Sequence, residues 1–223
     1  MFTLPMLLIA AILVVLFPFL FGELMFASLS KLHLTPSIAL ACVIAIFFGG
    51  IINIPIKSVV RESDVTEHPL DVYGLGGLWP QLRRVRRTTI IAVNVGGCLI
   101  PATLALYELV YLAETSLLGL AAAVVGCVVN VVVCYVIARP MAGIGIAMPA
   151  VVSPLVAAVL ALLLQPDMAP PVAFIIGVVG PLVGADLLHL RDIGASETGV
   201  VSIGGAGTFD GIVLSGIVAA YLA

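Results

Sequence analysis

Residues 115–138 read TSLLGLAAAVVGCVVNVVVCYVIA, and this stretch decides the class of fold. None of its residues carries a charge. A transmembrane helix needs roughly 20 consecutive, mainly apolar residues, because the hydrocarbon core of a bilayer is about 30 Å thick. The stretch therefore predicts a helix that crosses a membrane.

The composition of the whole chain supports the same conclusion. Of the 223 residues, 62% are hydrophobic and 9% are charged, and the mean hydropathy is +1.30. Soluble domains carry about 25% charged residues, which cover their surfaces. The chain has too few polar side chains for a sizeable soluble domain, and we predict one transmembrane domain over residues 1–223.

Six further apolar stretches are long enough to be spans. Five contain no charged residue, and the sixth contains only Asp210. Their bounds are residues 1–22, 34–56, 88–107, 140–165, 168–185 and 198–223. The first lacks the basic start of a signal peptide, which favours an anchored helix. The predicted fold class is all-α, a polytopic transmembrane helix bundle of about seven spans.

The basic residues predict how the chain lies in the cell membrane. Residues 57–87 form the one long hydrophilic loop, and it holds six of the nine basic residues. Because cytoplasmic loops are enriched in Lys and Arg, this loop is predicted to be cytoplasmic. Seven spans then place Arg139 and Arg191 on the same side and Lys31 outside. The N-terminus is predicted to be cytoplasmic and the C-terminus external.

Four arginines close that loop, and they have two interpretations. Each basic side chain near a membrane surface attracts anionic lipid by about 1 kcal/mol. The run therefore predicts contact with lipid headgroups, although a topology signal alone would need the same residues. The loop is short and lies at a membrane, so nucleic-acid binding is not expected. The residues concerned are Arg83, Arg84, Arg86 and Arg87.

Several predicted spans are interrupted where glycine, proline or asparagine coincide. In lipid, non-helical backbone is tolerated only where protein buries it or where it lines a wet cavity. The interruptions therefore predict a shared polar site, although small residues also serve simply to let helices approach closely. The interrupted stretches are residues 49–55, 94–101, 143–154 and 199–211.

Two aspartates stand out: Asp186 lies at the inner end of the predicted span 168–185, just past its last residue, and Asp210 lies inside the span 198–223. A carboxylate at membrane depth costs roughly 2.5–3.5 kcal/mol and usually marks a functional interior. His189 follows Asp186 by three residues, so it shares a helix face and could relay protons, form half of a metal site or hydrogen-bond at the interface. If residues 199–207 are irregular, Asp210 can begin a short half-helix with Thr208 as its N-cap. Whether the aspartates are adjacent stays open.

Five motifs follow one another along the second part of the chain. They are Asn53-Ile-Pro55, Asn94-Val-Gly-Gly97 with Pro101, Ala138-Arg139-Pro140 with Gly143-Ile-Gly145-Ile, Gly184-Ala-Asp186-Leu and Ser202 to Gly211. In this order they resemble a family of prokaryotic integral membrane proteins called domain of unknown function 1614. The resemblance covers roughly residues 40–223 and implies the same chain class, but it implies no reaction and no catalytic residue.

The first functional hypothesis is a small transporter or channel-like protein with an intramembrane polar site. Broken helices near mid-membrane commonly build substrate and ion sites. Asp186 and Asp210 would carry protons or cations, and Asn53 and Asn94 would coordinate an unknown small molecule or ion. The candidate binding residues are Asp186, Asp210, His189, Asn53, Asn94 and Thr208.

The second hypothesis is an intramembrane aspartyl hydrolase acting on a membrane substrate, with Asp186 and Asp210 as its catalytic pair. Two carboxyls that share a proton can activate water, one as base and the other as acid. The presenilin-like proteases offer an analogy, but Thr208 and Phe209 separate the glycines from Asp210, and the chain has no Pro-Ala-Leu motif.

The third hypothesis is a non-catalytic lipid-binding or membrane assembly protein.

The four cysteines sit in apolar stretches without zinc-type spacing, and they are expected to be packing thiols. Neither a metal nor a cofactor is predicted, and a homo-oligomer is left open. The cysteines are Cys42, Cys98, Cys127 and Cys134.

Overall fold

The structure is a computed structural model that describes residues 4–65, 83–141, 145–190 and 200–223. Seven α-helices form most of this part of the chain. They are α1 (Leu4–Leu29), α2 (Pro36–Gly49), α3 (Ile100–Thr115), α4 (Leu117–Ile137), α5 (Val152–Leu164), α6 (Ala169–Val179) and α7 (Gly211–Leu222). π-Helical stretches, Val95–Leu99 and Gly180–Leu187, precede α3 and continue α6.

Local sequence signals explain where several helices begin. Thr35 caps α2, because its side chain accepts a hydrogen bond from the Ile38 N–H, and Pro36 fits the first helical position. Ser116 both ends α3 and begins α4, where its Oγ accepts from the Gly119 N–H at 3.0 Å. The turn between α3 and α4 is therefore as short as one residue.

Three helical segments within the described residues are long and apolar enough to cross a membrane. They are Val95–Thr115, Leu117–Ile137 and Pro166–Leu187. The shorter apolar helical segments are Leu16–Leu29, Pro36–Gly49, Val152–Leu164 and Gly211–Leu222. These apolar helices indicate a membrane protein. The number of about seven spans stays a prediction.

The described residues are mostly helical, as predicted, but the fold is not all-α, because strands occupy both ends of the predicted hydrophilic loop. β1 (Asn53–Val65) pairs antiparallel with β2 (Arg83–Asn94), and β2 pairs parallel with β5 (Val200–Ile203). A small hairpin joins β3 (Arg139–Met141) to β4 (Gly145–Ala147). Segments 59–65 and 88–93 are rich in Val, Ile and Thr, which favour strands.

The predicted lipid contacts fall within this sheet region. The backbone of Arg83, Arg84, Arg86 and Arg87 belongs to β2. Their side chains lie outside what the structure describes, as do residues 66–82. Contact of these arginines with lipid headgroups therefore stays a prediction.

The segment that contains α6 is the centre of the bundle. In an 18-residue apolar stretch of the segment Pro166–Leu187, 72% of the residues are buried, whereas 28% are buried in a stretch of the same length in α4. Gly177 allows close packing on α7, because a Cβ there would lie 2.7 Å from the Ser215 carbonyl oxygen. Large apolar side chains such as Leu117, Leu163 and Phe48 are exposed, as a surface in contact with lipid requires.

A buried polar network ties four helices together. Asn130 of α4 donates from Nδ2 to Ser153 Oγ of α5 at 3.0 Å and to the Ile176 carbonyl of α6 at 2.9 Å. Ser153 Oγ in turn lies 2.7 Å from Ser215 Oγ of α7. All three polar side chains are fully buried and hydrogen-bonded. This network stabilises the packing of helices and leaves no polar group open to a ligand.

Candidate functional site

Three interrupted segments meet at one place, which we call the crossing and define as residues 49–53, 94–97 and 202–211. A Cβ on Gly97 would overlap the Gly204 carbonyl, and one on Gly96 would overlap the Ile46 carbonyl. Gly207 has a φ of +61°, and a Cβ there would lie 2.9 Å from the Gly50 oxygen. Backbones can approach this closely only because these positions lack side chains.

Asn94 holds the crossing together and is fully buried. Its Oδ1 accepts from the Gly97 N–H at 2.7 Å, which caps the π-helical turn before α3. Its Nδ2 donates to the Gly50 carbonyl at 2.8 Å and to Asn53 Oδ1 at 3.1 Å. Asn53 Oδ1 also accepts from Ser202 Oγ at 2.6 Å. The two predicted asparagines are therefore brought together, with Ser202 as a third member.

Asp210 begins α7 and is its N-cap. Its Oδ1 accepts from the Ile212 N–H at 3.0 Å, and its Oδ2 accepts from the Ala206 N–H at 3.3 Å. The prediction that Thr208 is the N-cap of this helix is wrong. The Thr208 Oγ1 instead lies 3.5 Å from the Ile46 carbonyl oxygen. The backbone before Asp210 is a strand and turns, so α7 is a short helix whose positive end faces the carboxylate.

Asp186 lies in the π-helical continuation of α6. Its Oδ2 accepts from the Gly204 N–H at 3.3 Å, which joins this segment to the crossing. Asp186 and Asp210 both line a cavity of about 240 Å³, which we call the aspartate cavity. The other lining residues are Ile146, Ala147, Met148, Ala150, Pro181, Ala185, Ala206, Phe209, Gly211, Ile212 and Leu214.

His189 is placed differently from the two aspartates. Its Nδ1 lies 3.1 Å and 3.0 Å from the carbonyl oxygens of Gly184 and Ala185, so it donates back to its own helix. Its ring stacks on Tyr135, with centroids 4.8 Å apart. His189 is buried and is not part of the lining of the aspartate cavity. Its contacts are those of a residue that closes a helix end.

Far from the crossing, a buried glutamate contacts a partly exposed histidine, and the sequence had not predicted this pair. Glu108 of α3 is fully buried, and its carboxylate lies 2.8 Å from His33 Nδ1 and accepts from the His33 N–H at 3.1 Å. His33 also stacks on Tyr111 at 3.7 Å, and Tyr107 donates to its carbonyl at 3.0 Å. Glu108 lies just beyond the predicted span at 88–107. The spacing of Tyr107, Glu108 and Tyr111 on one helix side was the available signal.

Groups that could hold a metal are not found in the described ranges. There, no three His, Cys, Asp or Glu side chains come close enough together to bind an ion. The four cysteines are free thiols, two buried and two half-buried. The chemistry of the site therefore rests on the two carboxylates and the backbone amides that contact them.

Long apolar helices, an apolar exterior and a polar cavity at interrupted helices define the class, a membrane protein. Residues 47–222 of the chain match the family described as protein of unknown function (DUF1614). The match covers more than half of the chain, so the protein belongs to this family, as the motifs indicated. No curated protein and no solved structure matches the chain.

Proposed function

We propose that this protein is a small multi-pass transporter or channel-like protein of the cell membrane that binds a cation at the aspartate cavity. The observation that carries the proposal is that Asp186 and Asp210, from separate segments, line one cavity. In this arrangement the N-terminus and the loop at 57–87 face the cytoplasm, as the basic residues indicate.

The charge of the cavity favours a cation. Three backbone N–H groups, from Gly204, Ala206 and Ile212, donate to the two carboxylates. Amide donors stabilise the ionised form of a carboxylate but do not cancel its charge. Within the described residues, neither aspartate has an ion pair with a basic side chain. A bound cation would supply the missing positive charge.

The position of the cavity favours transport. It lies where the α6 segment ends and α7 begins, beside backbone that is strand and turn rather than helix. Interrupted helices of this kind form the substrate and ion sites of many transporters, because they expose backbone polar groups at membrane depth. Asn94 is a positioning residue in this proposal. Asn53 is not among the residues that line the aspartate cavity, and its Oδ1 accepts from Asn94 and Ser202, so in this proposal it also supports the crossing.

Flux measurements on proteoliposomes test the proposal. The purified full-length protein would be reconstituted, with trapped pyranine to report protons and radiolabelled sodium, rubidium and methylammonium ions to report uptake. Asp186→Asn and Asp210→Asn are expected to lower flux of the transported cation. Asp167→Asn is the matched control, because Asp167 is an exposed aspartate that lies just before the first residue of α6, whereas Asp186 follows the last residue of that helix. Equal flux in wild type and both cavity variants for every cation would overturn the proposal.

An intramembrane aspartyl hydrolase is the second candidate. It is favoured by the same placement of two carboxyls on one cavity, which a shared-proton pair needs. It predicts cleavage of a helical membrane reporter that is lost in Asp186→Asn and in Asp210→Asn. Ion flux without cleavage across a broad panel of reporters would support the transporter and argue against the hydrolase.

A further inference from the structure

The lining of the aspartate cavity combines two carboxylates with a wall that is otherwise apolar. Ile146 and Met148 contribute from the β4 region, and Phe209, Ile212 and Leu214 contribute from around the start of α7. Drug-sized ligands occupy roughly 300–1,000 Å³. The volume of about 240 Å³ therefore fits a smaller molecule.

A bare divalent metal ion matches this wall poorly. Calcium and magnesium take six or more oxygen ligands, supplied by protein and water. Of the four carboxylate oxygens here, three already accept backbone hydrogen bonds, from Gly204, Ala206 and Ile212. The remaining side chains of the lining carry no oxygen. An ion that needs a full oxygen shell would have to keep most of its water.

Phe209 gives the wall a fixed apolar surface next to the charged one. Its ring packs against Phe17 and Phe21 of α1, with centroid distances of 5.5 Å and 5.3 Å. The same residue lines the cavity immediately before Asp210 in the chain. A ligand that reaches the Asp210 carboxylate can therefore place carbon atoms against an aromatic ring held in position by α1.

We propose that the ligand of this cavity is a small organic ammonium ion, which joins one positive charge to a short apolar body. This inference rests on the proposed function and names the class of cation. The ammonium group binds between the carboxylates of Asp186 and Asp210, and its N–H groups donate to them. The carbon chain contacts Phe209, Met148 and Leu214. Phe209 then determines selectivity for organic over inorganic cations.

Binding to the full-length protein in nanodiscs tests this inference by isothermal titration calorimetry, with empty nanodiscs as the blank. The probes are n-butylammonium, its neutral counterpart n-butanol, sodium ions and the bulky tetrabutylammonium ion. We expect n-butylammonium to bind at least about tenfold more tightly than each other probe, a difference of about 1.4 kcal/mol. Butanol lacks the charge, sodium lacks the apolar body, and tetrabutylammonium exceeds the cavity.

Variants separate the contributions of charge and wall. Asp210→Asn should weaken n-butylammonium binding, and Asp210→Glu should retain part of it because the charge remains. Phe209→Ala should weaken n-butylammonium binding, because the carbon chain loses its contact with the ring. Phe48→Ala is the matched control, since Phe48 is an exposed ring of α2 outside the cavity lining. Size-exclusion chromatography would confirm that each variant is folded.

The outcomes distinguish this inference from the proposed function. Aspartate-dependent flux of sodium or protons, with no binding of n-butylammonium, would overturn the organic-cation inference and leave the transporter standing. Absence of aspartate dependence for every cation would overturn both. Equal binding of n-butanol and n-butylammonium would show an apolar cavity without a cation site, and would also overturn the inference.

Discussion

Carboxyl groups lie at two ends of this bundle, buried at one end and half-buried at the other, and their contacts differ. At one end, Glu108 pairs with the side chain of His33 and is fully buried. At the other, the partners of Asp186 and Asp210 within the described residues are backbone amides, and both side chains line a cavity. Glu108 follows Asn94 of the crossing by 14 residues, so about 20 Å of helix separates the two ends.

The difference lies in what each carboxyl contacts. Glu108 contacts a side chain that can carry a compensating charge, and it joins the α1–α2 connection to α3. Asp186 and Asp210 instead line an open volume. The His33 side chain contacts the first carboxyl, whereas the described contacts of the two aspartates are backbone N–H groups.

The largest expected effect comes from filling the closest contact of the crossing. Gly97→Ala would place a methyl group on the Gly204 carbonyl, which belongs to the backbone and cannot turn away. We expect a loss of about 3 kcal/mol in the free energy of unfolding, the upper part of the range for overpacking. Thermal unfolding in detergent would measure it. Gly22→Ala is the control, because its nearest neighbour would lie 3.8 Å away; equal losses would contradict the role of the crossing.

Removing the carboxyl at the opposite end should affect stability and not flux. Glu108→Ala leaves His33 without its partner, and we expect a loss of about 2–3 kcal/mol, below the full value for a buried pair because His33 is partly exposed. Cation flux per folded molecule should stay unchanged. Glu114→Ala provides the control, as an exposed glutamate on the same helix. A fall in flux greater than the fall in folded protein would remove the contrast between the two ends.

The aspartates should show the reverse pattern. Asp186→Asn and Asp210→Asn are each expected to lower cation flux about tenfold, or about 1.4 kcal/mol, because half of the cavity's negative charge is lost. The melting temperature should change little for Asp186→Asn, which removes a charge with a single long amide contact. Initial uptake rates and unfolding curves on the same preparations provide the measurement. Unchanged flux together with a large fall in melting temperature would assign Asp186 a structural role.

The smallest expected effect concerns the edge of the crossing. Ser202→Ala removes the hydrogen bond to Asn53 Oδ1, and a loss of about 1 kcal/mol is expected for a half-exposed pair. The change should be visible as a modest fall in melting temperature. Ser30→Ala removes a hydrogen bond of an exposed serine to its own helix and is the comparison. A larger effect at position 30 than at position 202 would mean that Asn53 needs no support from β5.

Some elements of this architecture could be predicted from the sequence, and others could not. The interruptions at Asn53, Asn94 and the glycine stretch before Asp210 were predictable, because few other residue combinations disfavour a helix so strongly in an apolar span. The strand at residues 88–94 was not, since a short apolar run of Thr, Ile and Val suits a buried helix and a strand equally. Hydropathy measures apolar content and does not separate the two.

The candidate site shows the same division. Asp186 and Asp210 stood out because charge is rare in the spans, but their shared cavity depends on β5 bringing Gly204 to the end of the α6 segment. The pairing of His33 with Glu108 joins positions 75 residues apart. No local pattern connects such positions, so only the folded chain reveals which carboxyl has a partner.

Asn94 has a consequence for which substitutions the chain can accept. Its short amide accepts one hydrogen bond and donates two, each to a different strand or turn. Aspartate has the length but no donor, serine cannot supply two donors, and glutamine is one carbon too long for the cap. A library that randomises codon 94 should therefore return asparagine alone among variants that retain wild-type stability. Asn94 therefore connects the end of α2, the start of β1 and the turn before α3. A substitution in one of these three segments that moves its backbone would also disturb the hydrogen bonds to the other two.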